Sequence, residues 1–186
     1  MPSAHPLRPV RRLANRLARG VSLVETAIVV AVGAIVLTSA APGLQATLAR
    51  RHLDGVALQL AGDLQFARTE AVARNEPVRV SFHADAAASC WVVHTHGRAL
   101  CSCEAGHAVC GGGAALIRSA AVTAERRVAV DANVGSILYD PVHGTSTPTG
   151  TLRVIGAAAE VRHVVNVLGR VRSCSPQGAA PGWRAC

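Results

Sequence analysis

The sequence predicts an α+β fold, in which one long N-terminal helix, transmembrane at first and amphipathic later, packs on an antiparallel β-sheet head. Three observations predict it. No charge occurs between Thr26 and Ala49, a run long enough for the roughly 20 apolar residues of a membrane-spanning helix. Leu53, Val56, Leu60, Leu64, Ala67 and Ala71 then recur at three- and four-residue steps, which marks one face of a helix. After Pro77 the chain changes to short β-branched runs bounded by turn residues, as strands require.

The first 20 residues are a basic leader carrying Arg8, Arg11, Arg12, Arg16 and Arg19. Positive charge ahead of an apolar span holds that end cytoplasmic and sends the head across the membrane. The apolar run starts at Val21 and has Glu25 at its fifth position. A carboxylate within such a helix costs about 2.5–3.5 kcal/mol at mid-membrane, so it calls for a partner. A secretory signal would show a shorter apolar core and then a small-residue cleavage site. Here any cut is expected before the apolar run, which stays in the mature protein. Residues 21–49 are thus the membrane helix, and residues 50–186 the head.

The head opens with the amphipathic helix, to about residue 74. Arg50, Arg51, Asp54, Asp63, Arg68 and Arg74 fall largely off its apolar stripe. Pro42-Gly43 predicts a bend or local melting, and Asn75-Glu76-Pro77 ends the helix. Strands are expected at Val78–Phe82, Cys90–His94, Arg127–Val130, Ser136–Tyr139, Thr151–Ile155 and Val161–Val167. A Gly- and Cys-rich loop is expected from about Gly97 to Gly113, and a turn-rich connection from Gly144 to Gly150.

Charge restrains the functional reading. All 19 basic residues are Arg, and without the leader the net charge falls from +8 to about +3. Nucleic-acid binding must then rest on a local patch. The six cysteines, Cys90, Cys101, Cys103, Cys110, Cys174 and Cys186, form an even set suited to an oxidising compartment. Cys174–Cys186 would staple the Pro/Gly-rich tail, and either Cys103–Cys110 or Cys101–Cys110 would close the Gly-rich loop. Cys101, Cys103, His107 and Cys110 lack a standard zinc spacing, so no metal is expected. His94, His96 and His143 read as exposed histidines. No Ser/His/Asp order, paired carboxylate or phosphate loop accompanies them; neither enzyme activity nor a cofactor is expected.

Gly169-Arg170-Val171-Arg172 is the local patch. Arginines two apart on a strand leave from one face, and Gly169 suits a tight turn after the preceding strand. Guanidinium groups fit phosphates, and such contact is electrostatic and blind to sequence. Arg162, Arg184 and Arg153 would extend the patch, with Trp183 stacking on an exposed base.

Arg19-Gly20-Val21-Ser22-Leu23-Val24-Glu25 resembles the class III signal of type IV pilins and type II secretion pseudopilins. That resemblance implies cleavage after Gly20 by a prepilin peptidase and methylation of Val21, where the family usually has phenylalanine. Glu25 would then neutralise the N-terminal ammonium of a neighbouring pilin subunit. The segment from Leu60 to Asn75 resembles the helix of the GspH/FimT group of minor pilins, with its Ala-Arg-x-Glu-Ala core at Ala67–Ala71. Gly169–Arg172 resembles the Gly-Arg-x-Arg element of FimT-like pilins, associated there with DNA capture in natural transformation. The resemblance implies a single-pass inner-membrane protein with a periplasmic head, built into a pilus, whose partners are other pilin subunits and non-specifically held DNA. The alternatives are a minor pseudopilin of type II secretion and a structural assembly protein that binds no ligand.

Overall fold

The computed structural model describes residues 22–97, 100–104 and 106–186. The described residues divide into two compact units, one up to Pro42 and one from Gly43 to Cys186. One helix, α1 (Leu23–Arg74), contributes to both.

In the first unit, Ser22 Oγ accepts the backbone N–H of Glu25 at 3.2 Å, satisfying a donor that a helix start leaves open. Leu23, Val24, Ile28, Val29, Val30, Ile35 and Leu37 are all largely exposed. By length and composition α1 can cross a membrane, and this apolar surface calls for lipid or protein around it. Thr26 Oγ1 donates to Leu23 O at 2.8 Å and Thr38 Oγ1 to Ala34 O at 2.9 Å. The helix continues through Pro42-Gly43, so the local melting expected there does not occur. A proline removes one backbone donor, and the turns on either side suffice to carry the helix past it.

In the second unit, Leu53, Val56, Ala57, Leu60, Leu64, Ala67 and Ala71 form the buried seam of α1, as the periodicity predicts. Asp63 corrects the expectation that the charges avoid this seam: it is 2% exposed. Its carboxylate accepts Trp91 Nε1 at 2.8 Å and Arg118 Nη1 at 2.9 Å, so burial leaves it fully partnered. The helix stops as expected. Asn75 adopts φ 51°, with Asn75 N donating to Val72 O and Glu76 N to Ala71 O, a left-handed cap that seals the last carbonyls.

The strands that follow are β1 (Val78–Ala84), β2 (Ala88–Thr95), β3 (Cys101–Glu104), β4 (His107–Cys110), β5 (Leu116–Thr123) and β6 (Ala129–Ala132). They continue with β7 (Ser136–Tyr139), β8 (Ser146–Thr147), β9 (Gly150–Ile155), β10 (Glu160–Val165) and β11 (Val171–Cys174). One sheet has the order β5-β2-β1-β7-β8 and another β11-β10-β9-β6, while β3 and β4 form a hairpin. All named pairings are antiparallel. The helical seam packs with Val78, Val80, Trp91, Val93, Ile137, Tyr139, Leu152, Val154, Val161 and Val165 in one core.

Three departures from the sequence reading have physical causes. Within the expected loop from Gly97 to Gly113, β3 and β4 are held covalently, Cys101 to Cys110 within the hairpin and Cys103 to Cys90 on β2. No apolar alternation is needed to hold them, so none is visible. Strand β5 buries only Val122 fully, and its alanines carry little strand signal. Arg127 adopts φ 53°, which delays the expected strand at Arg127–Val130 to Ala129.

Candidate nucleic-acid interface

The patch is built by the β10–β11 hairpin. Val165 pairs with Val171, Val164 with Arg172, and Arg162 with Cys174. The expected strand Val161–Val167 ends at Val165 because Asn166 opens the turn. Gly169 N donates to Asn166 O at 2.8 Å, Asn166 N to Arg170 O at 3.1 Å, and Arg170 N to Asn166 Oδ1 at 3.0 Å. Gly169 is buried and has φ 72°, a backbone region that favours glycine. A Cβ there would collide with the carbonyl oxygen of Gly144 and lie 2.9 Å from Cδ and Nε of Arg68.

A second turn braces this one. Ser146 N donates to Val167 O at 2.9 Å and Ser146 Oγ to Asn166 O at 2.6 Å. Arg68 Nε donates to Gly144 O at 2.9 Å. The arginine-bearing turn is therefore tied both to the neighbouring loop and to α1.

Arg170 and Arg172 are both exposed, whereas Val171 and Ser173 between and after them are half-buried. Arg172 lies in β11; Arg170 immediately precedes it. Among the described residues neither guanidinium is paired with a carboxylate. Arg162 differs. Its Nε donates to Glu160 Oε1 at 2.6 Å, and Arg153 grips the same carboxylate at 2.9 and 3.0 Å while lying 3.6 Å from Asp131. The hydrogen bonds from Arg153, reinforced by Arg162, pull the Glu160 carboxyl down to about 2. Arg162 and Arg153 thus reach the patch largely neutralised, and the free charge of the hairpin itself resides in Arg170 and Arg172.

The C-terminal strap runs beside β11. Ser175 N donates to Arg184 O at 2.7 Å and Cys186 N to Ser175 O at 3.1 Å, and Cys174 is bonded to Cys186. Arg184 is exposed on this strap. Trp183 corrects the expectation of a stacking platform. Its Nε1 donates to Asp54 Oδ1 at 2.8 Å, and its ring meets His163 edge-on at 6.1 Å. It is a core-side group pinned to α1.

The six cysteines are therefore joined as Cys90–Cys103, Cys101–Cys110 and Cys174–Cys186. His94 departs from the exposed class: it is fully buried, with Nδ1 donating to Thr95 O at 2.8 Å and Nε2 paired with Ser81 Oγ at 2.9 Å. Burial lowers its pKa. His163, also buried, is pushed down to about 4 by desolvation. Gly20 and Val21, the expected processing site, lie outside the described residues; Glu25 is exposed in the first turn of α1.

Compared with known proteins, residues 56–169 match the family model described as type II transport protein GspH. Two crystal structures of the type IV minor pilin FimU of Pseudomonas aeruginosa (strain PAO1) are similar to this chain. One has 18% identity and a TM-score of 0.50, covering 72% of this chain and 96% of that one. The other has 17% identity and a TM-score of 0.49, covering 70% and 98%. No curated protein matches the sequence.

Proposed function

We infer that this chain, which belongs to the GspH family, is a minor type IV pilin that captures DNA. Its N-terminal helix carries it as a single-pass protein of the inner membrane, with residues 50–186 in the periplasm. A prepilin peptidase cuts after Gly20, Val21 is methylated, and the subunit enters a pilus among other pilins. Glu25 offsets the N-terminal ammonium of its neighbour, so that two buried charges compensate each other.

The observation that supports DNA capture is the pair Arg170 and Arg172. Both are exposed, free of carboxylates among the described residues, and fixed by a braced turn. Arg184 adds charge from the adjoining strap, and Arg162 adds the part that Glu160 leaves. The family match ends at Gly169, so this reading rests on the arginines and not on membership. Binding of this kind is weak and insensitive to base sequence. The test is duplex DNA binding by the double variant R170Q/R172Q across a salt series. We expect binding and transformation to be lost with the fold intact, whereas R126Q/R127Q costs little. Equal loss in both doubles would reduce the effect to general charge.

A second reading, a minor pseudopilin of type II secretion, is favoured by the family description itself. Normal secretion lost with this gene, alongside unaltered DNA binding in R170Q/R172Q, would put that reading first.

A further inference from the structure

Two stretches far apart in sequence meet at one side chain. Arg68, at the centre of the helical segment Leu60–Asn75, donates from Nε to Gly144 O at 2.9 Å, 76 residues away. Gly169 is packed so closely on the same side chain that a Cβ would lie 2.9 Å from Arg68 Cδ and Nε. Arg68 and Arg170 then line one cleft of about 330 Å³, together with Gln65, Thr69, Gly169 and Val171.

The chemistry of that cleft is one-sided. Two of its six lining residues are arginines and none is acidic. The nearest acid along the helix, Glu70, is engaged by Arg74 Nε. Arg68 spends Nε on the Gly144 carbonyl, which leaves the two terminal nitrogens of its fork as donors. A fork of that kind, in one cleft with a second arginine, suits a tetrahedral oxyanion.

We propose that Arg68 is a phosphate-contacting residue of this site: it clamps the Gly169 turn with Nε and shares one phosphate with Arg170 across the cleft. The proposal takes its source of phosphate, DNA, from the reading above. It adds a contact from α1 to the two arginines of the hairpin.

The test uses the full chain in a non-ionic detergent, with a duplex of random sequence titrated over a salt series. Each phosphate contact contributes about 0.9 to the slope of log affinity against log salt. R68M is expected to lower that slope by about one and affinity by about tenfold, and R68K to restore the slope. A wild-type slope in R68M overturns the proposal. Because R68M also loses the clamp, Q65E is the second variant. It places a carboxylate in the cleft, at an exposed residue, and leaves Arg68 in place. Q65E should weaken binding about fivefold relative to Q59E, an equal charge change at an exposed helical position outside the cleft lining; equality of the two overturns the proposal. If the wild-type protein ignores duplex DNA, inorganic pyrophosphate is the probe. Shifts of the Gly169 and Arg170 amide signals that vanish in R68M uphold the Arg68 site and remove the DNA reading. No such shifts in the wild type overturn both.

Discussion

The buried carboxylate of Asp63 accepts the indole N–H of Trp91 at 2.8 Å, joining the C-terminal half of α1 to β2 through the core. Arg118, which is half-exposed, completes the carboxylate and lies 4.1 Å over the ring of Phe66. Asp63→Ala would leave the indole donor unsatisfied in the core, a loss of about 1–3 kcal/mol for that group. It would also strip Arg118 of its partner. We expect the variant to lose about 3 kcal/mol of stability in urea unfolding, and Arg118→Ala about 1 kcal/mol. Equal losses would mean that the ion pair and not the indole bond dominates.

Glu160 sets how much of the patch is free. Its carboxyl is held down to about 2 by Arg153 and Arg162, against an ordinary value near 4.5. A depressed carboxyl pKa stabilises the fold above the ordinary value, and that contribution disappears as pH falls from about 4.5 towards 2. Acid titration of Glu160→Gln should lack this component. Because Arg162 is released and Arg153 keeps only Asp131, the same variant should bind duplex DNA about threefold more tightly. Unchanged affinity would show that those two arginines lie outside the contact.

Gly169→Ala tests the turn. The substitution forces a side chain into a left-handed backbone, which costs about 1–2 kcal/mol, and drives Cβ into Gly144 and Arg68. We expect a loss of at least about 2 kcal/mol, together with weakened DNA binding although both arginines remain. A variant with wild-type melting would refute the tight packing at this turn.

Processing is read by mass. The mature protein should begin at Val21, N-methylated, and Gly20→Ala should keep the leader. Glu25→Ala should still be inserted and cleaved but recovered poorly in sheared fibres. An intact leader in wild-type cells containing the peptidase would remove the pilin reading.

What the sequence made legible follows the range of the forces involved. The seam from Leu53 to Ala71 repeats within a few residues, so periodicity reveals it. The strands β1, β2 and β7 are rich in β-branched or aromatic residues and show themselves in the same way. By contrast, Asp63 and Trp183 look like surface or interface groups until their partners, Trp91 and Asp54, are brought from 28 and 129 residues away. The β3–β4 hairpin hides because sulfur bonds, not apolar alternation, hold it. Gly169–Arg172 could be found as a motif. Its attachment to Arg68 could not, since nothing local links residue 68 to a turn a hundred positions later.

The threonines of the apolar helix have a wider consequence. Thr26 and Thr38 spend their hydroxyls on carbonyls of their own helix, so neither needs water or a neighbouring chain. Bilayer and protein interior are then nearly equivalent solvents for this stretch. For those two side chains passage from one to the other breaks no hydrogen bond, whereas Glu25, the single charge between Val21 and Ala49, meets the two environments differently.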